Sequence, residues 1–186
     1  MESKINIKPS SILYPAPAIM VSCGNGIQNN IITISWTGTI NSIPPMCSIS
    51  IRPERFSHKI IKDSGEFVIN LTTTELAKVS DWCGVKSGKD YNKFDEMGLT
   101  AVKGNVVNAP IIAESPVNIE CKVKQIISLG SHDMFIAEVV EIQIDKSILL
   151  EGTAGVDWSK LNLIHYFGGH YYEVGKMIGK TGFSLK

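Results

Sequence analysis

Arginine is nearly absent from this chain. Of 18 basic residues only Arg52 and Arg55 are arginine, and they stand three apart in one short segment. In a lysine-biased chain, arginine persists where its planar fork does something lysine cannot. That segment is a candidate anion site before any motif is sought. Net charge is absent too: 18 Lys plus Arg balance 18 Asp plus Glu, and the pI is near 6.9. A nucleic-acid binder needs a basic face, so no nucleic-acid partner is expected. Nor is there a global attraction to acidic membranes.

Long apolar runs are missing. The first apolar stretch, residues 12–21, is broken by Pro15 and Pro17. Nothing approaches the ~20 apolar residues that span a bilayer. The opening MESKINIK has no apolar core of signal-peptide length. A soluble, cytoplasmic protein with no membrane partner is the expectation.

The four cysteines form no CxxC pair, which argues against a disulfide framework or a zinc knuckle. Cys47 and Cys121 fall in apolar strand-like runs and are expected as buried free thiols. Cys23 and Cys83 sit beside glycines, which leaves greater exposure open. HExxH and GxSxG are absent, and His58, His132, His165 and His170 are scattered, so no metal is expected. Residues 24–29 (GNGIQN) begin like a dinucleotide fingerprint but end in Asn, with no helical pattern after them; they read as a hairpin turn. Residues 84–90 (GVKSGKD) echo a phosphate-binding loop but are one residue short, with Asp90 where Ser or Thr should reach magnesium.

What remains is strand signal. The chain has 186 residues, 44% of them hydrophobic, enough for one domain over residues 1–186 with a substantial core. Residues 18–23 (AIMVSC), 30–36 (NIITISW), 46–52 (MCSISIR) and 66–71 (EFVINL) read as strands. Residues 117–129 and 134–144 read as two long ones. In residues 46–52, Cys47, Ile49 and Ile51 share one face and Met46, Ser48 and Ser50 the other. The stretch between Trp36 and Pro45 reads as a turn region. Short helices are expected over residues 56–63, closed by Gly65, and from Thr72-Thr73-Thr74, whose hydroxyls offer caps, to about Trp82. A polar loop with a short helix follows over residues 87–98, then another helical piece near 158–161 and an aromatic cluster at 165–172. The sum is mainly β: an antiparallel β-barrel with short helices, not a doubly wound parallel sheet.

One constellation stands out. Asn30, Thr33, Ser35 and Trp36 lie on one strand and Ser48 and Ser50 on another; Arg52, Arg55, Ser57 and His58 follow where strand turns to helix. Helix N-terminal N–H groups, a hydroxyl and a guanidinium together suit a phosphate. Nearby hydroxyls and strand amides suit the edge of a flat hydrogen-bonding ring. Solvated arginines and an outward-facing serine row are the bland alternative.

Residues 30–61 (NIITISWTGTINSIPPMCSISIRPERFSHKII) and 64–71 (SGEFVINL) resemble the flavin reductase-like proteins with an FMN-binding split barrel, the flavoredoxin group in particular. Residues 87–94 (SGKDYNKF), the turn at 130–133 and the aromatic tail match in order and spacing. The resemblance implies a Greek-key split barrel, a homodimer and one FMN per subunit near the dimer interface. By position, Asn30, Thr33, Ile34, Ser35 and Trp36 would line the ring and ribityl chain, and Ser50, Ile51 and Arg52 would follow it. Ser57, in a position where the family often has Thr, would hold the phosphate with His58, Lys93 and Arg55. His132 and Phe167 would sit near the ring. The resemblance further implies an NAD(P)H-dependent oxidoreductase that passes electrons from NADH or NADPH through FMN to a flavin, a ferric complex or a redox-protein acceptor. An electron carrier without direct NAD(P)H use, or a non-catalytic FMN-binding protein, is the alternative.

Overall fold

The first hairpin shows how the sequence builds the molecule. Gly24 and Gly26 take positive φ (138° and 86°), where a side chain would be strained. Between them the Asn25 side chain accepts the N–H groups of Ile27 and Gln28, each at 3.1 Å. This turn joins two strands in antiparallel register, Ile19 opposite Ile34 through Gly24 opposite Asn29.

The computed structural model describes residues 3–153 and 155–185. In chain order the elements are β1 (Ala16–Pro17), β2 (Ile19–Gly24), β3 (Asn29–Ile34), β4 (Thr37–Ser42), β5 (Pro45–Ile51), α1 (Phe56–Ser64) and β6 (Glu66–Leu71). Then come α2 (Ala77–Val85), α3 (Lys93–Glu96), β7 (Ala101–Lys103), β8 (Pro110–Ile112), β9 (Val117–Ser128), β10 (Asp133–Ile144), β11 (Ile164–Phe167) and β12 (His170–Glu173). Short 3-10 turns cover Thr74–Leu76, Lys146–Ile148, Trp158–Lys160 and Phe183–Leu185.

The main sheet has seven strands in the order β3-β2-β6-β9-β10-β5-β4, antiparallel throughout. One apolar cluster joins Val21, Ile32, Ile49, Phe67, Cys121 and Phe135, from six of those strands. The sheet is therefore wrapped around a single interior. Closure is incomplete. The Ser50 N–H reaches the Trp36 carbonyl at 2.9 Å, but β3 and β5 form no ladder. The barrel is split along that seam. α1 fills the interior with Ile61 and ends at Gly65 (φ 68°), whose N–H returns to the Ile61 carbonyl.

A second layer lies outside β2 and β3. Met20 and Ile31 meet Leu76, Cys83, Phe94, Leu99 and Ile112 there. β2 is thus buried on both faces, which is why its sequence is continuously apolar rather than alternating. β5 is half-covered and keeps its alternation: Cys47, Ile49 and Ile51 are buried and Met46, Ser48 and Ser50 intermediate.

The structure corrects several expectations. The turn region before Pro45 contains β4, an edge strand whose residues Gly38 to Ser42 are all exposed. A strand with no buried face carries no apolar alternation to read. The aromatic tail is the β11–β12 hairpin, turned at Gly168 and Gly169 (φ 56° and 90°). Thr73 makes no side-chain cap; instead the Thr74 N–H donates to the Asn162 carbonyl at 2.8 Å. All four cysteines are buried, so the exposure left open for Cys23 and Cys83 is not found. Burial pushes the Cys23 thiol up to about 12 and Cys83 to about 11. Both are poor nucleophiles. No helix of the described residues is long and apolar enough to cross a membrane. Among them no cluster of three His, Cys, Asp or Glu could hold a metal.

Candidate functional site

The groove follows the split. At one end is a cavity of about 190 Å³ lined by Asn30 and Ile32 of β3, Glu54 to Ser57 at the start of α1, Cys83 and Gly84, Lys86 to Gly88, and Lys93. It shares Ile32 and Arg55 with a middle cavity of about 170 Å³, bordered by Thr33, Ile34, Ser35, Trp36, Ser50, Ile51, Arg52 and His132. That one shares Ser35, Trp36 and Ser50 with a wider space of about 500 Å³ closed by Leu13, Pro15 and Pro17. The three form one path with a cationic end and an apolar, hydroxyl-studded end.

The cationic end gathers groups that an anion would use. Arg55 is the N-cap residue of α1 and makes no side-chain cap bond, and no acidic residue occupies the first turn. The first N–H groups of a helix have no intrahelical carbonyl, so these donors stay available. Ser57, 1% exposed, sits in that turn and accepts a hydrogen bond from the Asn30 side-chain N–H at 2.7 Å. Lys93, 3% exposed, donates to the carbonyls of Ile31 (2.7 Å) and Cys83 (2.6 Å). An ammonium has three donors, which leaves one more for a ligand. Burial draws its pKa down to about 8, the nearby thiols push it up, and Arg55 adds to the lowering. Arg55 in turn donates to the Gly84 carbonyl at 2.9 Å.

Two further observations fit a ligand here. The Asn30 carbonyl oxygen is buried with no hydrogen-bond partner among the described atoms, a costly state that a donor in the cavity would relieve. The wall at Gly84 and Gly88 is flush with β3. A Cβ at Gly84 would press the Thr33 side chain at 3.2 Å, and one at Gly88 would land inside the Asn30 amide. Gly84 near the end of α2 and Gly88 in the loop before α3 therefore bring their backbone directly against β3 at the cavity wall.

The middle of the groove carries the ring-binding candidates. Thr33 is committed behind the wall, donating to the Ser80 carbonyl of α2. The rings of Trp36 and His132 lie 4.5 Å apart, tilted by 43°. Partial burial and then repulsion from Arg52 lower the His132 pKa, which favours the neutral imidazole. Arg52 itself pairs loosely with Glu54 at 3.6 Å. Ile34 and Ile51 point their side chains into the core and reach the groove as strand backbone.

Twelve of the fourteen residues singled out from the sequence line this path: Asn30, Thr33, Ile34, Ser35, Trp36, Ser50, Ile51, Arg52, Arg55, Ser57, Lys93 and His132. Two lie outside its lining. His58 turns inward, its Nε2 2.8 Å from the Asp133 carboxylate and its N–H on the Arg55 carbonyl. Phe167, about half-exposed, stands edge-on to Tyr14 at 5.2 Å, one residue from the groove wall at Pro15. The sequence reading missed Gly84, Lys86, Ser87 and Gly88 as cavity lining. Their signal was the G-x-x-x-G-K run set aside for failing a magnesium-binding pattern; a loop that contacts an anion through backbone needs no such hydroxyl.

A model of the flavin reductase-like domain matches residues 11–175. A protein of Archaeoglobus fulgidus is 31% identical over 131 residues, which is 70% of this chain and 73% of that protein. A protein of Aquifex aeolicus is 30% identical over 168 residues, 87% and 85% of the two chains. Among solved structures, the flavoredoxin of Desulfovibrio vulgaris superposes with a TM-score of 0.90 at 28% identity, covering 98% of this chain and all of that one. The flavoredoxin of Methanosarcina acetivorans gives 0.89 at 25% identity, covering 99% and 100%. On the domain match, the relatives and the split-barrel architecture together, the chain belongs to the flavin reductase-like domain family.

Proposed function

We propose that this chain binds FMN in the groove and works as a flavin reductase-like oxidoreductase, taking electrons from NADH or NADPH and passing them to a flavin, a ferric complex or a redox protein. One observation carries the reading. An anion end, with Lys93 and Ser57 buried and the exposed Arg55 and the start of α1 at its mouth, opens directly into a hydroxyl-lined slot flanked by Trp36 and His132. A phosphomonoester on a flat polar ring matches both halves. A bound flavin would supply the electron chemistry; the protein's residues bind and orient. Lys93 and Arg55 would neutralise the phosphate and Ser57 would donate to it. Ser35, Ser50 and the strand N–H groups would meet the polyol and ring edge. Trp36 and His132 would border the face left open to a second reactant.

The same proposal includes a homodimer. Ile5, Ile7 and Leu13 before β1, and Met177, Ile178 and Leu185 after β12, are all more than 60% exposed. Apolar side chains displayed at both ends favour a second copy as their cover.

The test is an absorption spectrum of the purified protein, before and after anaerobic addition of NADH or NADPH. Flavin bands that bleach support the reductase. Bands that persist with both nucleotides favour a flavoredoxin-type electron carrier, a reading that the two flavoredoxin superpositions support. A colourless protein that takes up no added FMN overturns both.

A further inference from the structure

His58 and Asp133 form a buried cross-link whose partners are sequence neighbours of the two ends of the proposed flavin site. His58 follows Ser57 of the anion end; Asp133 follows His132 of the ring end. Their side chains are 8% and 12% exposed, and Nε2 to Oδ2 is 2.8 Å. The imidazole is held edge-on to Phe135, ring centres 5.3 Å apart. Asp133 opens β10 with Ile51 of β5 opposite it on one side and Ser128 of β9 on the other. The carboxylate is thus fixed to the sheet, while the imidazole is fixed to the first turn of α1.

We infer that the His58–Asp133 pair is a positioning strap that sets the spacing between the phosphate cradle and the ring end of the groove. The inference rests on the flavin reading above. Its physical content is effective concentration. Once a phosphate is seated at Ser57, Lys93 and Arg55, the ring attached to it gains from the opposite end of the groove only if that end stands at the right distance. Cutting the strap leaves each half-site intact but lets the two drift. A ligand that uses both halves loses affinity, whereas one that uses a single half does not.

The experiment compares FMN with riboflavin, which lacks the phosphate, by fluorescence titration of the full chain and its variants. For His58→Ala and Asp133→Ala, FMN affinity should fall on the order of 10- to 100-fold while riboflavin affinity changes less than about threefold. The double variant should be no weaker than either single one, because both remove the same link. His58→Gln keeps a donor toward Asp133 and should recover most of the loss. Should the alanine variants fail to fold, Asp133→Asn preserves the shape and is expected to show a smaller loss of the same selective kind. Equal loss of FMN and riboflavin, or no loss of FMN, overturns the strap. A wild-type chain that binds neither flavin overturns the flavin reading itself, and the inference with it.

Discussion

Gly88 and Lys93 show how much of the site depends on single residues. Gly88 has ordinary backbone angles, so its requirement is space: a methyl group there would displace the Asn30 amide and break its bond to Ser57. Gly88→Ala should lower FMN affinity about tenfold, equivalent to about 1.4 kcal/mol, and leave riboflavin affinity nearly unchanged in the same titration. Lys93 predicts a pH dependence. With its pKa near 8 in the ligand-free chain, it is cationic below that pH and neutral above it. A dianionic phosphate favours the cation, so FMN affinity should fall by no more than about twofold from pH 7 to 8. It should then fall by up to about tenfold per unit above 8, measured by equilibrium titration. Lys93→Met should abolish that limb. The place of Lys93 in the cavity wall was legible only through family likeness. As a residue it resembles any helix lysine; its burial comes from the contact of α3 with β3.

At the scale of elements, β9 holds the outer layer through one carboxylate. Glu120 is fully buried and accepts the N–H groups of Asn105, Val106 and Val107 and the side-chain amide of Gln143, all within 2.8 Å. Burial alone would raise its pKa, but these four donors outweigh it and the net shift is downward. A depressed folded-state pKa means the carboxylate stabilises the fold above the unfolded value, near 4.5. That contribution fades as pH falls through the lower folded value. Glu120→Gln should cost about 2 kcal/mol at pH 7, roughly 4–8 °C in thermal midpoint. The gap to wild type should narrow in acid; calorimetry at pH 7 and pH 3 checks both. In sequence, Glu120 is one polar residue in an alternating strand, on what reads as the wet face. The loop after β7 makes that face interior. β4 has the opposite history: its polar, glycine-containing run reads as turn because an edge strand exposes both faces.

At the scale of the molecule, the seam between β3 and β5 is what a binding groove requires. A closed ladder there would extend the single bond between the Ser50 N–H and the Trp36 carbonyl and use backbone groups of Ser35 that a ligand could otherwise meet. The proposed dimer belongs to this scale as well. Sedimentation equilibrium should give about twice the 20.4 kDa chain mass, and removing the residues after Glu173 should shift that value toward one. A full-length chain of single mass would overturn the dimer. The sequence by itself determined the inward face of β5, because its alternation of Cys47, Ile49 and Ile51 with Met46, Ser48 and Ser50 is local; in β2, apolar on both faces, only the packing sends Val21 to the interior and Met20 to the outer layer. The sequence also marked the segment of Arg52 and Arg55 that lines the groove, because two arginines in a lysine-rich chain are a chemical signal that needs no neighbours. Only the tertiary structure decided which polar residues face the groove. Ser57 and His58 are adjacent on one helix turn, yet one lines the cavity and the other is drawn to Asp133. That choice is made by a partner 75 residues away, and no local pattern encodes it.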